Sequence, residues 1–378
     1  MKRPLRWLVT FLAAALVVGV SFFAGYQYRD IAAPDEHLAS IEQAWELLQD
    51  NYVEPEKVDP EALAQAAIEG MLDFVGDPYT AYLDPLSYQM SQSGLEGSFS
   101  GIGAYVSFDE ESKAIIMMPI SGSPAERAGI RPGDILLEVD GEDVTSLSVM
   151  DVVSRVRGPV GEAVQLTVLH PGESEPVEIG VVREKIEVPS VIFEVRDGVA
   201  IIEITEFTER TAGELGEVLG ELDGVLGIVL DLRYNPGGLL SSVVDVASYF
   251  LDEGDTVVSV CYPDGKTDTY KVVPKDVHTD LPVVVLVNQF SASGSEVLAG
   301  ALRDNNRAVI AGARTFGKGS VNVLYELEDG SAIYVTTARW LTPGGTLIEG
   351  TGICPDWPLA LDDEGALNWA IDHIRGLS

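Results

Sequence analysis

Positive charge is scarce in this chain. Its 378 residues hold 24 lysines and arginines against 60 acidic side chains, a net charge of −36. Such a surface repels phosphates and argues against a nucleic-acid partner. The plain reading is a solvated acidic surface that keeps the protein dissolved; a salty habitat or basic substrates are the other options. Cysteine is nearly absent. Cys261 and Cys354 have no His or second Cys at ligand spacing, so a zinc site is not expected, and whether the two pair stays open. The four histidines, His37, His170, His278 and His373, are scattered outside any Gly-rich or Ser-rich turn. They offer no candidate for a His-based triad and are expected to be ordinary surface residues. There is no internal repeat and no long low-complexity segment.

One long uncharged stretch stands out, Trp7 to Tyr26, close to the ~20 residues that span a bilayer. Lys2, Arg3 and Arg6 precede it, and Asp30, Asp35 and Glu36 follow, which orients the body away from the cytoplasm. Ser21-Phe-Phe-Ala24 fits a cleavage site poorly, although a cut near Ala24 stays open. Residues 1–29 therefore read as a signal anchor in a membrane, with the remainder on the extracytoplasmic face, periplasmic or extracellular.

An apolar content of 46% suffices for a sizeable core, and the length suggests two or three domains. Residues 30–95 form a helical region. Leu38, Ile41, Ala44, Trp45, Leu47 and Leu48 recur at helical spacing, and Pro60 opens a second helix carrying Ala67, Ile68, Met71, Leu72 and Phe74. The pair is either simple packing or a dimer arm. Residues 96–184 read as a small β-rich domain with strands over 115–120, 136–141, 164–168 and 177–182, and a helix from Ser148 to Val156 that Arg157-Gly-Pro-Val-Gly161 stops. Over 185–360, short β-branched runs at 199–204, 227–232, 257–260 and 283–287 alternate with helical patterns at 209–222, 239–251 and 295–305. That order predicts crossover units on a mostly parallel sheet. Residues 361–378 form a closing helix.

The chemistry concentrates in Asn288-Gln-Phe-Ser-Ala-Ser-Gly-Ser-Glu296 and Thr315-Phe-Gly-Lys-Gly319. Hydroxyl residues follow a buried apolar run and open a helix. Lys318, one of only eight lysines, is boxed between glycines. Ser and Lys can form a nucleophile and its base without His. Geometry does not choose among Ser291, Ser293 and Ser295; Ser295 is a possible N-cap, with Asn288 and Ser291 ordering the turn. Lys318 works as a base only when neutral, against an ordinary pKa of about 10.4. Phe316, Gly317 and Gly319 suit a tight, partly apolar niche that favours the neutral form, and Arg314 is placed to repel the ammonium further. Leu232-Arg-Tyr-Asn-Pro-Gly-Gly-Leu239 joins a strand to a helix. Its amides suit an oxyanion or a phosphate, but the run lacks the Gly-Lys-Ser/Thr of a P-loop.

Ser-Ala-Ser-Gly-Ser-Glu with Thr-Phe-Gly-Lys-Gly-Ser resembles the carboxyl-terminal processing, or tail-specific, serine proteases. Ser123-Pro-Ala-Glu-Arg-Ala-Gly-Ile-Arg-Pro-Gly-Asp134 resembles the PDZ domain inserted in them. The likeness spans about residues 36–360. It implies a multidomain α/β and β protein: a crotonase-like (ClpP/crotonase superfamily) α/β spiral core, an inserted PDZ domain and an N-terminal helical segment, with a possible homodimer. It selects Ser293 as nucleophile and Lys318 as general base. It places oxyanion amides at Gly237 or Gly238 and at Gly294, and needs neither metal nor nucleotide. The family's Gln four residues after the Lys is Asn322 here, one methylene shorter, in the role of orienting the Lys. Glu296 and Asp304 match acidic positions whose helix placement favours structural hydrogen bonds. A protein C-terminus would bind by strand addition with its carboxylate on Gly101, Ile102, Gly103 and Ala104, although those glycines alone would equally make a turn. Arg157 would contact the catalytic domain, or simply favour the end of its helix. The expected activity is cleavage of protein tails; a catalytically silent PDZ scaffold is the alternative, and an acyl-CoA enzyme of the same spiral fold is disfavoured by the PDZ insert and the export signal.

Overall fold

The computed structural model of the chain describes residues 36–109 and 114–377. The expected anchor lies outside the described residues, and among those described no helix is long and apolar enough to cross a membrane. Two compact units are present, one ending at Val75 and the other starting at Gly76.

The first unit holds α1 (Glu36–Asn51), a 3-10 turn (Pro55–Lys57) and α2 (Pro60–Val75). Asp59 Oδ1 accepts from the N–H of Ala62, and Pro60 sits in the first turn, where its missing N–H costs nothing. The apolar side chains that gave the helical period, among them Leu38, Ile41, Leu47, Leu48, Met71 and Phe74, are exposed, Phe74 at 93%.

The second unit opens with β1 (Ala81–Leu83) and α3 (Pro85–Glu96), which Asp84 caps by accepting from the N–H groups of Leu86 and Ser87. Residues 76–95, grouped with the N-terminal helices on sequence, thus belong here: Ala81 pairs with Tyr334. Next come β2 (Ser98–Gly101), β3 (Ala104–Asp109), β4 (Ala114–Pro119), α4 (Pro124–Ala128), β5 (Asp134–Val139), β6 (Glu142–Asp143), α5 (Val149–Val156), β7 (Ala163–Leu169), β8 (Val177–Val182) and β9 (Glu184–Glu187). β3-β4-β5-β7-β8 form an antiparallel sheet with β6 on β5, while β9 pairs with β2. Alternation sorts the faces: Val164, Leu166 and Val168 of β7 are buried and join Ile102, Met117, Leu136 and Val152 in a separate core. Ser148 caps α5 through the N–H of Asp151. One histidine is not a surface residue: His170 is buried, with Nδ1 2.7 Å from Oδ1 of buried Asp134. A paired imidazole is accommodated where an unpaired one would be costly, and nothing in the spacing of the chain announces that partner.

The remaining chain gives β10 (Val191–Arg196), β11 (Val199–Ile204), α6 (Thr211–Glu221), β12 (Ile228–Asp231), α7 (Leu240–Ala247), β13 (Thr256–Cys261), β14 (Thr267–Lys271), β15 (Val283–Val287), α8 (Gly294–Asp304), β16 (Val309–Gly312), β17 (Ser320–Glu326), β18 (Ala332–Leu341), β19 (Trp357–Pro358) and α9 (Asp363–Leu377). α7 is shorter than the expected 239–251, because Ser248 Oγ turns back onto the Val244 carbonyl and the chain tightens into turns. The main sheet runs β10-β11-β12-β15-β16-β19, parallel except for β10. In register, Ile202, Leu230, Val285 and Ile310 point into one core with α6, α7, α8 and the second sheet. Ile201, Val229 and Val284 face Leu367, Ala370, Ile371 and Ile374 of α9 on the other side. Both faces are covered, which is why these strands read as unbroken apolar runs. The second sheet, β1-β18-β13-β14 with β17 on β18, supplies the far wall.

Candidate active site

β12 and β15 are parallel neighbours, so the loops after them leave the same edge of the sheet, where crevices form in open α/β sheets. The first loop carries Gly237 and Gly238 at φ of 109° and 139°. A Cβ on Gly237 would lie 2.8 Å from both Gly294 N and Ser293 Cβ, and one on Gly238 would lie 2.2 Å from the Phe207 carbonyl oxygen. Both glycines are therefore needed for their dihedrals, Gly237 also for close approach to the second loop and Gly238 for close approach to the Phe207 backbone. Asn235, fully buried, fastens the two loops. Its Nδ2 donates to the Ile204 carbonyl, its Oδ1 accepts from Gly237 N–H at 2.8 Å, and its carbonyl accepts from Ala292 N–H and Ser295 Oγ–H. The Gly237 amide is thereby occupied. Gly238 and Gly294 N–H have no acceptor among the described residues, so of the two glycines named on sequence Gly238 is the one with an available donor.

The three serines also separate. Ser291 is fully buried and its Oγ donates to the Leu232 carbonyl while accepting from Asn288 N–H. Ser295 is fully buried on Asn235. Ser293, at φ 51°, caps α8 and faces a cavity of about 600 Å³ that Lys318, Gly238, Asn322 and Tyr334 also line. A positive φ at a non-glycine residue is uncommon and is held here by the surrounding bonds. Ser295 is therefore not the cap that the sequence allowed it to be.

Glu296 holds this arrangement. Its side chain is fully buried, and four donors converge on it. Oε1 accepts from Thr315 Oγ–H at 2.6 Å and Gly317 N–H at 2.7 Å; Oε2 accepts from Ser293 N–H at 2.9 Å and Lys318 N–H at 2.8 Å. One carboxylate thus bonds the backbone of the Ser turn and the Lys loop together. Burial raises its pKa above the ordinary carboxylate value, and the four donors oppose that rise without cancelling it. Asp304 has a lesser part, accepting from Gly344 N–H to fix a turn after β18.

Lys318 is half-buried, and desolvation lowers its pKa against the opposing pull of Glu349, Asp77 and Glu296. Its Nζ lies 5.3 Å from the Tyr79 ring centre and 5.8 Å from that of Tyr334. The expected apolar wall is wrong in one respect: Phe316 is 57% exposed, and the tyrosines take its place. Arg314 does not face the amine either, since its Nε donates to the Thr351 carbonyl. Asn322 makes no hydrogen bond to Lys318. Its Nδ2 donates to the Tyr79 carbonyl and to Thr336 Oγ, each at 2.9 Å, and its Oδ1 accepts from Ser320. The short amide is taken up by its neighbours; Asn322 lines the cavity beside Lys318 and bears on the lysine niche by fixing Tyr79. Sequence reading missed Asn235, Tyr79 and Tyr334; the Asn-Pro-Gly-Gly run was the only local signal, for Asn235.

On the small domain, Gly101, Ile102 and Gly103 are buried and join β2 to β3, and Ala104 starts β3. Ile102 and Gly103 carbonyls accept from Ala125 and Ile120, while their own N–H groups have no acceptor among the described residues. Gly103 has φ 73°, and a Cβ there would strike Ser123 Cβ at 2.5 Å. Arg157 ends α5 with its guanidinium 5.0 Å from the Phe99 ring centre, and burial lowers its pKa. Cys261 and Cys354 are free thiols.

Close approach of the two loops is testable without an assay. Gly237→Ala should destabilise the protein by about 1–3 kcal/mol through overpacking. Gly224→Ala, also at positive φ but with nothing within 4 Å, isolates the dihedral cost. Equal urea midpoints for the two variants would show that the loops are not in contact.

Comparison with known proteins agrees with this architecture. Residues 198–359 match the model of peptidase family S41, residues 115–169 a PDZ domain, and residues 24–86 the N-terminal domain of the activating protease CtpB. The "Probable CtpA-like serine protease" of Staphylococcus aureus (strain N315) is 39% identical over 354 residues, 92% of this chain and 70% of that one. The carboxy-terminal processing protease CtpA of Bacillus subtilis (strain 168) is 34% identical over 376 residues, 97% of this chain and 80% of that one. Among solved structures, a photosystem II D1 C-terminal processing protease aligns with a TM-score of 0.50 at 32% identity, covering 84% of this chain and 91% of that one. The chain therefore belongs to peptidase family S41, among the PDZ-containing carboxyl-terminal processing serine proteases.

Proposed function

We propose that this protein is a membrane-anchored, extracytoplasmic serine endopeptidase that takes flexible protein C-termini and cleaves them with Ser293 as nucleophile and Lys318 as general base. The observation that carries this reading is the shared cavity: it holds Ser293, Lys318 and Gly238, whereas the neighbouring serines are buried on backbone carbonyls. Ser293 Oγ attacks the scissile carbonyl carbon as its proton passes to Lys318 Nζ. The amides of Gly238 and Gly294 receive the oxyanion. Collapse of that intermediate breaks the C–N bond, and the leaving amine takes the proton back from Lys318. Water then attacks the acyl-enzyme, giving its proton to the neutral lysine, and Ser293 recovers a proton as the new C-terminus leaves. Asn322 contributes by holding Tyr79 beside the lysine rather than by touching it.

The core is read as a crotonase-like spiral, consistent with its parallel strand-helix units. Free N–H groups at Ile102 and Gly103 suit a terminal carboxylate, with Arg157 on the side of the small domain that faces the core. The export segment at 7–26 supports the location, and the exposed apolar side chains of α1 and α2 suit an arm that pairs with a second copy.

Digestion of an unfolded protein ending in an apolar tail tests the dyad. Ser293→Ala and Lys318→Ala should each lose about 10^3-fold or more in turnover, with the double variant little worse, because the pair acts as a unit. Lys318→Arg should be equally inactive, since a guanidinium does not deprotonate. The wild-type rate should climb with pH, because the neutral amine is the active form, and the midpoint should fall below the ordinary lysine value, because burial disfavours the ammonium. Undiminished turnover in Ser293→Ala would remove the assignment, and a folded wild type that cuts nothing would favour the silent scaffold. Amidating the substrate's C-terminus should slow cleavage several-fold; equal rates for amide and free acid would refute carboxylate recognition.

A further inference from the structure

A second cavity, of about 180 Å³, adjoins the one that holds Ser293 and Lys318, and Gly94 and Glu206 line both. Phe99 and Arg157 form its wall on the small domain, and Thr205 and Thr208 its wall on the core. Glu206 therefore stands where space on the tail-binding side opens toward the nucleophile. Its backbone is fixed. Phe207, next to it, is fully buried, donates its N–H to the Gly237 carbonyl and accepts from Leu239 N–H, and the Glu206 carbonyl accepts from Thr211 Oγ–H.

The carboxylate itself has no such support. It is half-buried, accepts no hydrogen bond and pairs with no cation among the described residues. Arg157, the guanidinium of the same cavity, stacks over Phe99 and makes no ion pair with it. Taking a carboxylate out of water without a donor is unfavourable, and burial alone raises its pKa. Other acidic groups near the site are satisfied: Glu296 by four donors, Glu349 by Gly319 N–H, Asp77 by Thr80. An unpaired carboxylate on the wall of a substrate channel is a group that a ligand completes.

We propose that Glu206 is a specificity-determining residue that binds a basic side chain, Lys or Arg, of the substrate on the tail side of the scissile bond. This rests on the proteolytic reading above and adds a preference to it. A charge-assisted hydrogen bond in a partly desolvated channel discriminates strongly between a cation and a neutral amide, and repels an acid. The net charge of −36 draws basic polypeptides toward the whole surface, but that field is diffuse, whereas Glu206 acts at one position of the chain.

The test uses unfolded reporter proteins with one common apolar tail and Lys, Gln or Glu at each of the residues that follow the cleaved bond, the bond being mapped by mass spectrometry. For the wild type, kcat/KM should fall in the order Lys, Gln, Glu, with about a ten-fold or larger Lys-to-Glu ratio at one position. Glu206→Gln, nearly isosteric, should collapse that ratio toward one, and Glu206→Lys should invert it, with thermal melts verifying that both are folded. A ratio that is the same in wild type and both variants would assign the preference to the overall field and overturn the role of Glu206. Cleavage blind to charge in the wild type would overturn it too while leaving the protease reading intact. No cleavage of any reporter by folded wild type would remove the protease reading and this inference with it.

Discussion

The site depends on one buried carboxylate. Glu296 lies in the first turn of α8, three residues after Ser293, yet three of its four bonds reach a loop beyond β16. An ionised carboxylate offers about four lone-pair positions and no proton, and here all four are used. The acceptors are in one rigid group, so the Ser turn and the Lys loop cannot move apart without stranding a buried charge. Removal of one partner from such an arrangement is among the costlier events in a protein interior. The backbone strain at Ser293, φ 51°, is tolerated because its own N–H is one of the four donors.

Around that carboxylate the fold supplies position. Two parallel strands, β12 and β15, end side by side and deliver the glycine loop and the serine turn to one edge. Asn235 then ties those loops to each other and to β11. The glycines allow the approach, and the second sheet brings β17 and β18, with Asn322 and Tyr334, over the top. β1 adds to that sheet and brings Tyr79 to the lysine. Each element of the site thus sits on a different piece of regular structure, and the polar bonds between the pieces carry the geometry.

Much of this was legible. Strands buried on both faces announce themselves as apolar runs, and 199–204 and 283–287 coincide with β11 and β15, while the run 177–182, buried on one face only, coincides with β8. The Ser-x-Ser and Gly-Lys-Gly motifs are local, and so is Glu296. What escaped was non-local. Tyr79 and Tyr334 are far apart in the chain and become neighbours of Lys318 only when β1 pairs with β18. Local apolarity pointed to Phe316, but that ring faces outward. His170 looked like a lone surface imidazole because its partner, Asp134, arrives from another strand. The choice between Gly237 and Gly238 turned on a side-chain bond from Asn235 that no spacing rule contains.

The role given to Glu296 is tested most directly by Glu296→Gln. The amide keeps the shape but turns an acceptor into a donor facing N–H groups, so the Ser turn and the Lys loop should separate. Turnover of an unfolded substrate should drop about 10^2-fold, the order expected when reacting groups shift by ~1 Å. Labelling of Ser293 by a fluorophosphonate should slow in parallel, with the protein still folded by circular dichroism. Wild-type turnover and labelling in a folded Glu296→Gln variant would contradict the claim that this carboxylate holds Ser293 and Lys318 together.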